Sequence, residues 1–205
     1  MALLFTMSGW SAPALAQQPG EPPTILLYGD SLLAGYGLPP EQGFAARLQA
    51  AMQAAGLEAR LVNASVSGDT TADGLARIDW SLAEPADAVI LGLGANDMLQ
   101  GLPPATTRAN LQAMLDRFAA RDMPVLLLGM LADRGLGTDY VAAFDAIYPA
   151  LARQYDASLY PFFLEGVALD PALNQPDRIH PNAAGVDRIV EQLLPSVAAL
   201  LARID

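Results

Sequence analysis

From Ile25 onward the chain alternates short apolar runs with stretches whose apolar residues recur every three or four positions, and this alternation narrows the fold more than any other feature. The runs cover residues 25–28, 59–63, 88–93, 125–130 and 158–162, lengths that suit buried strands and are too short for buried helices. Between them Phe44, Leu48 and Met52 make one helical stripe, and Leu111, Leu115 and Phe118 another. A third stripe, Tyr140, Phe144, Ile147, Tyr148 and Leu151, contains Pro149, which kinks or ends its helix. The last, Val186, Ile189, Val190, Leu193, Val197 and Leu200, is interrupted by Pro195. Continuous apolar strands separated by amphipathic helices imply a parallel sheet covered on both faces. The expected fold class is therefore α/β: a three-layer α/β/α sandwich with a doubly wound parallel sheet of about five strands, in the order 2-1-3-4-5.

In such a sheet the functional crevice lies beyond the carboxyl ends of the strands, where strand order reverses. Strand 1 runs into Gly29-Asp30-Ser31, strand 2 into Asn63 and then Ser67-Gly68-Asp69, and strand 3 into Gly94-Ala95-Asn96-Asp97. All three ends are small and polar. With neighbouring strands about 4.8 Å apart, Ser31 falls centrally, with Gly68 on one side and Asn96 on the other. A serine hydroxyl is a weak nucleophile that needs a base, most often histidine, oriented by a carboxylate. The chain has one histidine, His180, and Asp177 precedes it by three residues, a step that lets the carboxylate face the imidazole across one turn. Pro181 is available to start the helix that follows. Candidate oxyanion donors are the Ser31 and Gly68 amides and the Asn96 side chain.

Each motif alone has a plainer reading. Gly29-Asp30-Ser31 can be a turn or a helix cap, and Asn96-Asp97 can cap a helix. Gly92-Leu93-Gly94 lacks the third glycine of a dinucleotide loop. Unrelated turn residues would not be expected to supply nucleophile, donors, carboxylate and base in a workable order, so acyl chemistry is the favoured reading. Two alternatives stay open: a metal-dependent phosphoesterase holding divalent ions on Asp30, Asn96, Asp97 and His180, and a non-catalytic carbohydrate-binding module on the same fold.

Composition excludes other classes. A net charge of −11 disfavours nucleic acid and anionic membrane surfaces as partners. All 11 basic residues are arginines, so phosphate-loop NTPases and Schiff-base enzymes lack their lysine, and the absence of cysteine removes disulfides, thiolate nucleophiles and zinc–cysteine sites. Residues 2–16 are mostly apolar and end in Ala14-Leu15-Ala16, the small-x-small pattern of a signal peptide, although no basic residue precedes the apolar core. Residues 1–23 are expected to form an export signal with a short extension, and residues 24–205 one domain. No later apolar run approaches the ~18 residues of a membrane span.

At these residues the sequence resembles the SGNH hydrolases, also called the GDSL esterase/lipase family. Gly29-Asp30-Ser31-Leu32 matches the first block, Ser67-Gly68-Asp69 the second, Gly94-Ala95-Asn96-Asp97 the third and Asp177-Arg178-Ile179-His180 the last. The resemblance spans residues 25–201. It implies a flavodoxin-like sandwich, Ser31, Asp177 and His180 as catalytic residues, and Ser31, Gly68 and Asn96 as the oxyanion hole, with no cofactor and no metal. Within the family the chain looks most like the bacterial thioesterase/protease/lysophospholipase and arylesterase subgroup. That likeness implies a periplasmic or secreted monomer acting on small-molecule or lipid acyl esters, with no stable membrane insertion. Ala95 stands where that thioesterase has glycine, and the loops at 98–104 and 130–137 also depart, which favours aryl esters over thioesters.

Overall fold

The computed structural model of the chain describes residues 20–204; the segment 1–19, which carries most of the expected export signal, lies outside the described residues. Five parallel strands form one sheet: β1 (Thr24–Gly29), β2 (Arg60–Asn63), β3 (Ala88–Gly92), β4 (Val125–Leu128) and β5 (Ser158–Tyr160). Their order is β2-β1-β3-β4-β5, as expected. β1, β3 and β4 are buried along their whole length, whereas the edge strands β2 and β5 are half-buried or exposed. That difference follows from position, since an inner strand of a doubly wound sheet meets helices on both faces.

The helices are α1 (Ser31–Ala34), α2 (Phe44–Ala54), α3 (Thr71–Ser81), α4 (Ala95–Leu99), α5 (Pro104–Ala119), α6 (Thr138–Asp145), α7 (Ile147–Tyr155) and α8 (Ala183–Leu201). α2 packs on α8, while α3 packs on α5 and α5 in turn on α6 and α7, so the helices fall into two groups covering the sheet. Each turns its stripe inward: Phe44, Leu48 and Met52 from α2, Leu111, Leu115 and Phe118 from α5, and Val186, Ile189, Leu193 and Val197 from α8 are all buried. α3 starts with a capping box, in which Thr70 and Asp73 satisfy each other's backbone amides.

Three prolines sort out differently. Pro149 ends one helix and begins another: α6 stops at Asp145, four residues earlier, and Pro149 sits in the first turn of α7, where its missing N–H has no partner to lose. α8, by contrast, continues through Pro195. Pro181 does not start α8 as expected; Asn182 is the cap, its side chain accepting from the Gly185 amide at 3.0 Å, and Pro181 instead bridges to Asn174.

Strands β4 and β5 end two residues before the apolar runs do. Pro161 has no N–H for the ladder, and Gly129 closes the pair by donating to the Tyr160 carbonyl at 2.7 Å while its own carbonyl accepts from Phe163 at 2.8 Å. At the centre, Gly29 pairs with Gly92 across β1 and β3, and a Cβ on Gly29 would lie 2.6 Å from the Gly92 carbonyl oxygen. The strand ends approach this closely only because neither carries a side chain. Gly29→Ala is expected to cost about 1–3 kcal/mol through overpacking against a backbone atom. Urea unfolding followed by circular dichroism measures it, and an unchanged midpoint would mean that the strand ends can move apart freely.

Candidate active site

β1 delivers its carboxyl end into Asp30, which caps α1: the Asp30 carboxylate accepts from the Leu32 amide at 3.0 Å and its carbonyl accepts from the Leu33 and Ala34 amides. Ser31 is thereby the first residue of α1, nearly buried, with its hydroxyl held at the start of the helix. His180 Nε2 lies 2.9 Å from Ser31 Oγ, and His180 Nδ1 lies 2.7 Å from Asp177 Oδ2. The other Asp177 oxygen accepts from the Ile179 and His180 amides at 2.9 and 3.0 Å, so the carboxylate and imidazole are locked in one tight turn. Burial pushes the Asp177 carboxyl up, but the two amides, the imidazole hydrogen bond and the imidazole charge outweigh it and hold the group at about 2.

The donor side is built from two loops. Gly68 adopts φ 91°, a conformation that favours glycine, in the loop after β2. Asn96 lies in the first turn of α4, and its Nδ2 donates to the Asp69 carbonyl at 2.9 Å, which fixes the amide plane and leaves a second N–H uncommitted. The Ser31 and Gly68 amides have no backbone or side-chain acceptor among the described residues. Five positions singled out in the sequence (Ser31, Gly68, Asn96, Asp177 and His180) therefore meet at the carboxyl ends of β1, β2 and β3. A hydroxyl arranged this way can attack a carbonyl while its proton passes to the imidazole.

Three further residues that motif reading did not find organise this end of the sheet. Arg77 on α3 donates through Nε to Asp69 Oδ2 at 2.6 Å, through Nη1 to the Ala64 carbonyl at 2.5 Å and through Nη2 to the Gly29 carbonyl at 3.2 Å. Its guanidinium also sits 4.2 Å from the centre of the Tyr28 ring. Gln175 donates from Nε2 to the Tyr36 carbonyl at 2.8 Å and to the Pro181 carbonyl at 3.0 Å, tying the segment after Ser31 to the segment around His180. The Tyr36 ring packs on the imidazole with 4.6 Å between centroids. These contacts link residues far apart in the chain, and no local spacing announces them.

The phosphoesterase alternative fails on donor geometry. Asp97 is completely buried, and its carboxylate accepts from the Thr71 amide and hydroxyl and from the Thr107 hydroxyl, joining α4 to α3 and α5. It does not face the cleft with His180, and among the described residues no three His, Cys, Asp or Glu side chains are grouped to hold a metal ion.

Beside Ser31 and His180 opens a cleft of about 730 Å³, lined largely by apolar groups that include Leu32, Met98, Met130, Phe162, Leu164 and Ala168. The segments 98–104 and 130–137 supply Met98 and Leu99, and Met130, Leu131 and Ala132, to its lining.

Residues 27–188 match the GDSL-like Lipase/Acylhydrolase family, and the chain belongs to it. It is 42% identical over 196 residues to the esterase TesA of Pseudomonas aeruginosa, covering 95% of this chain and 98% of that protein. Over 179 residues it is 38% identical to thioesterase 1/protease 1/lysophospholipase L1 of Escherichia coli, covering 85% of each. Among solved structures, AlinE4, an SGNH-hydrolase family esterase, superposes with a TM-score of 0.75 at 47% identity, over 89% of this chain and 98% of that one. The family and the fold implied by the sequence blocks are thus borne out.

One buried acid has a pH signature of its own. Burial raises the Asp30 carboxyl to about 7, with the charges of Asp69 and Asp97 adding to the rise and the Leu32 amide opposing it. In the unfolded chain an ordinary aspartate has released its proton by about pH 4, so folding takes up a proton between about pH 4 and 7 and is weakened as pH rises through that window. Asp30→Asn, which keeps the acceptor for Leu32, is expected to flatten this part of the stability curve. Thermal unfolding at half-unit pH steps measures the effect, and parallel curves for the two proteins would show Asp30 to be ionised throughout.

Proposed function

We propose that the chain is a serine ester hydrolase in which Ser31 is the nucleophile, His180 the general base and Asp177 its orienting carboxylate, with Ser31, Gly68 and Asn96 supplying the oxyanion donors. The observation that carries this reading is the unbroken hydrogen-bonded series Asp177–His180–Ser31 at the mouth of an apolar cleft. The esterase names of similar proteins support it.

In the reaction Ser31 Oγ bonds to the ester carbonyl carbon as its proton moves to His180 Nε2. The carbonyl π electrons pass to oxygen, which meets the Ser31 and Gly68 amides and the free N–H of Asn96. Asp177 keeps the Nδ1 proton bonded and stabilises the imidazolium. Collapse of the intermediate expels the alcohol, which takes the proton from Nε2. Water then repeats the sequence on the acyl-enzyme, giving the carboxylic acid and restoring Ser31. No cofactor or metal enters this scheme. The acyl chain is assigned to the apolar cleft, and we favour aryl and short to medium acyl esters over thioesters on the two loops and Ala95. We place the enzyme in the periplasm or outside the cell as a monomer, on the small-x-small pattern at 14–16 and the subgroup likeness; no helix among the described residues is long and apolar enough to cross a membrane.

Ser31→Ala is expected to fold normally and lose several orders of magnitude in kcat, and Asn96→Ala to lose roughly 10² to 10³ in kcat with little change in KM, because the oxyanion exists only after attack. Steady-state hydrolysis of p-nitrophenyl butyrate, with unfolding temperatures as a control, tests both. Retention of a tenth of the activity by Ser31→Ala would falsify the nucleophile assignment, and a change confined to KM would make Asn96 a ground-state contact.

A pH profile examines the base. Asp177, held at about 2, stays ionised above about pH 3 and adds no limb of its own, so kcat/KM should rise with pH as the general base becomes neutral, and Asp30→Asn separates any contribution of the buried Asp30. The rise must coincide with the titration of the chain's one imidazole, followed by NMR in the free enzyme. A mismatch of more than about one unit would remove His180 from the role of limiting base.

A further inference from the structure

Seven large apolar side chains are exposed among the described residues, and six of them gather at one end of the molecule. Leu99, Leu169 and Ile179 line the cleft that holds Ser31 and His180. Tyr36 packs on the His180 ring, Val66 lies two residues before Gly68, and Leu136 follows the cleft residues Asp133 and Arg134. Their exposures run from 39% for Leu136 to 87% for Leu169. The seventh, Trp80, is near the carboxyl end of α3 and so at the opposite end of the sheet. Scattered exposed apolar residues carry no message, but their concentration around one opening does.

Two positions add to this. Leu169 is held at φ 66° and Arg178 at φ 62°, the left-handed region in which a non-glycine residue costs free energy. Of the four non-glycine residues in that region among the described residues, the other two are aspartates, which tolerate it better. Leu169 gains no burial in exchange: the backbone presents a leucine to solvent beside the cleft. Arg178, adjacent to Ile179, is exposed and forms no ion pair among the described residues.

We propose that this face docks on the surface of zwitterionic phospholipid, with Leu99, Leu169 and Ile179 entering the apolar layer and Arg178 meeting headgroup phosphate. The inference rests on the ester-hydrolase reading, since the cleft opens inside the apolar ring and whatever covers the ring must deliver an acyl ester to Ser31. A second copy of the chain would seal that opening, whereas a lipid surface feeds it. Charge selects the kind of surface: the guanidinium suits a phosphodiester, while a net charge of −11 repels an anionic leaflet. Docking delivers an acyl chain to the cleft without its first crossing water.

The test separates docking from catalysis by using the exported form, residues 17–205, which lacks the apolar segment 2–16 and Trp10, with Ser31→Ala and sonicated phosphatidylcholine vesicles in a sedimentation assay. The expected result is co-sedimentation, with Leu169→Asp and Ile179→Asp each lowering the partition coefficient at least about tenfold at unchanged unfolding temperature. In the same background, the tryptophan of Leu169→Trp should be quenched by brominated phosphatidylcholine while Trp80 is not. Absence of partitioning, partitioning indifferent to these substitutions, or stronger binding to phosphatidylserine vesicles than to phosphatidylcholine overturns the proposal. Hydrolysis of water-soluble phenyl acetate by the unsubstituted enzyme reads the esterase function separately. Hydrolysis without vesicle binding overturns docking alone, and no hydrolysis overturns the function on which docking rests.

Discussion

A strand buried on both faces leaves little room for carboxylate or amide side chains along its length, so β1 and β3 carry theirs just past the points where they leave the sheet. This one restriction explains why Asp30 and Ser31 follow β1 at once and why Asn96 and Asp97 follow β3. The reversal of strand order places the exits of β1 and β3 side by side, and the glycine pair Gly29 and Gly92 lets them stay close there. The position of the site is thus settled by burial, before any catalytic interaction is formed.

Proximity alone does not tie these segments together, and Arg77 does so. Its guanidinium contacts the Gly29 carbonyl just before Asp30 and Ser31, the Ala64 carbonyl in the loop after β2, and the Asp69 carboxylate beside Gly68. Asp69 then receives the Asn96 amide on its carbonyl. A planar guanidinium holds three acceptors in one fixed fork, whereas the three donors of an ammonium rotate freely, and the chain uses no lysine. With its charge partly sheltered and stacked on Tyr28, Arg77 contributes chiefly by fixing geometry.

Much of this was legible in the sequence because it is local. The strand and helix stripes, the polar residues at strand ends and the three-residue step from Asp177 to His180 all lie within short windows. What the sequence hid depends on partners distant in the chain. Arg77 bonds across 48 residues to Gly29 and Gln175 across 139 to Tyr36, and neither has a recognisable neighbour. The strand ends at Leu128 and Tyr160 escaped notice because Gly129 and Pro161 terminate pairing inside runs that look uniformly apolar. Leu169 is spelled like any core leucine, and only its backbone conformation and surroundings mark it as exposed.

The docking of α8 on α2 has a consequence in time. Ser31 is among the first folded residues to be synthesised and His180 among the last, and the segment bearing His180 leads directly into α8. That helix packs on α2, which itself follows Ser31 in the chain, so the imidazole is anchored over the hydroxyl by a contact joining the two ends of the domain. Parallel sheets with such distant closures assemble slowly. A growing chain can complete β1, β2 and β3, and with them Ser31, Gly68 and Asn96, while still lacking His180. On the proposed mechanism, Ser31 lacks its base until the segment bearing His180 has been made and α8 has docked on α2.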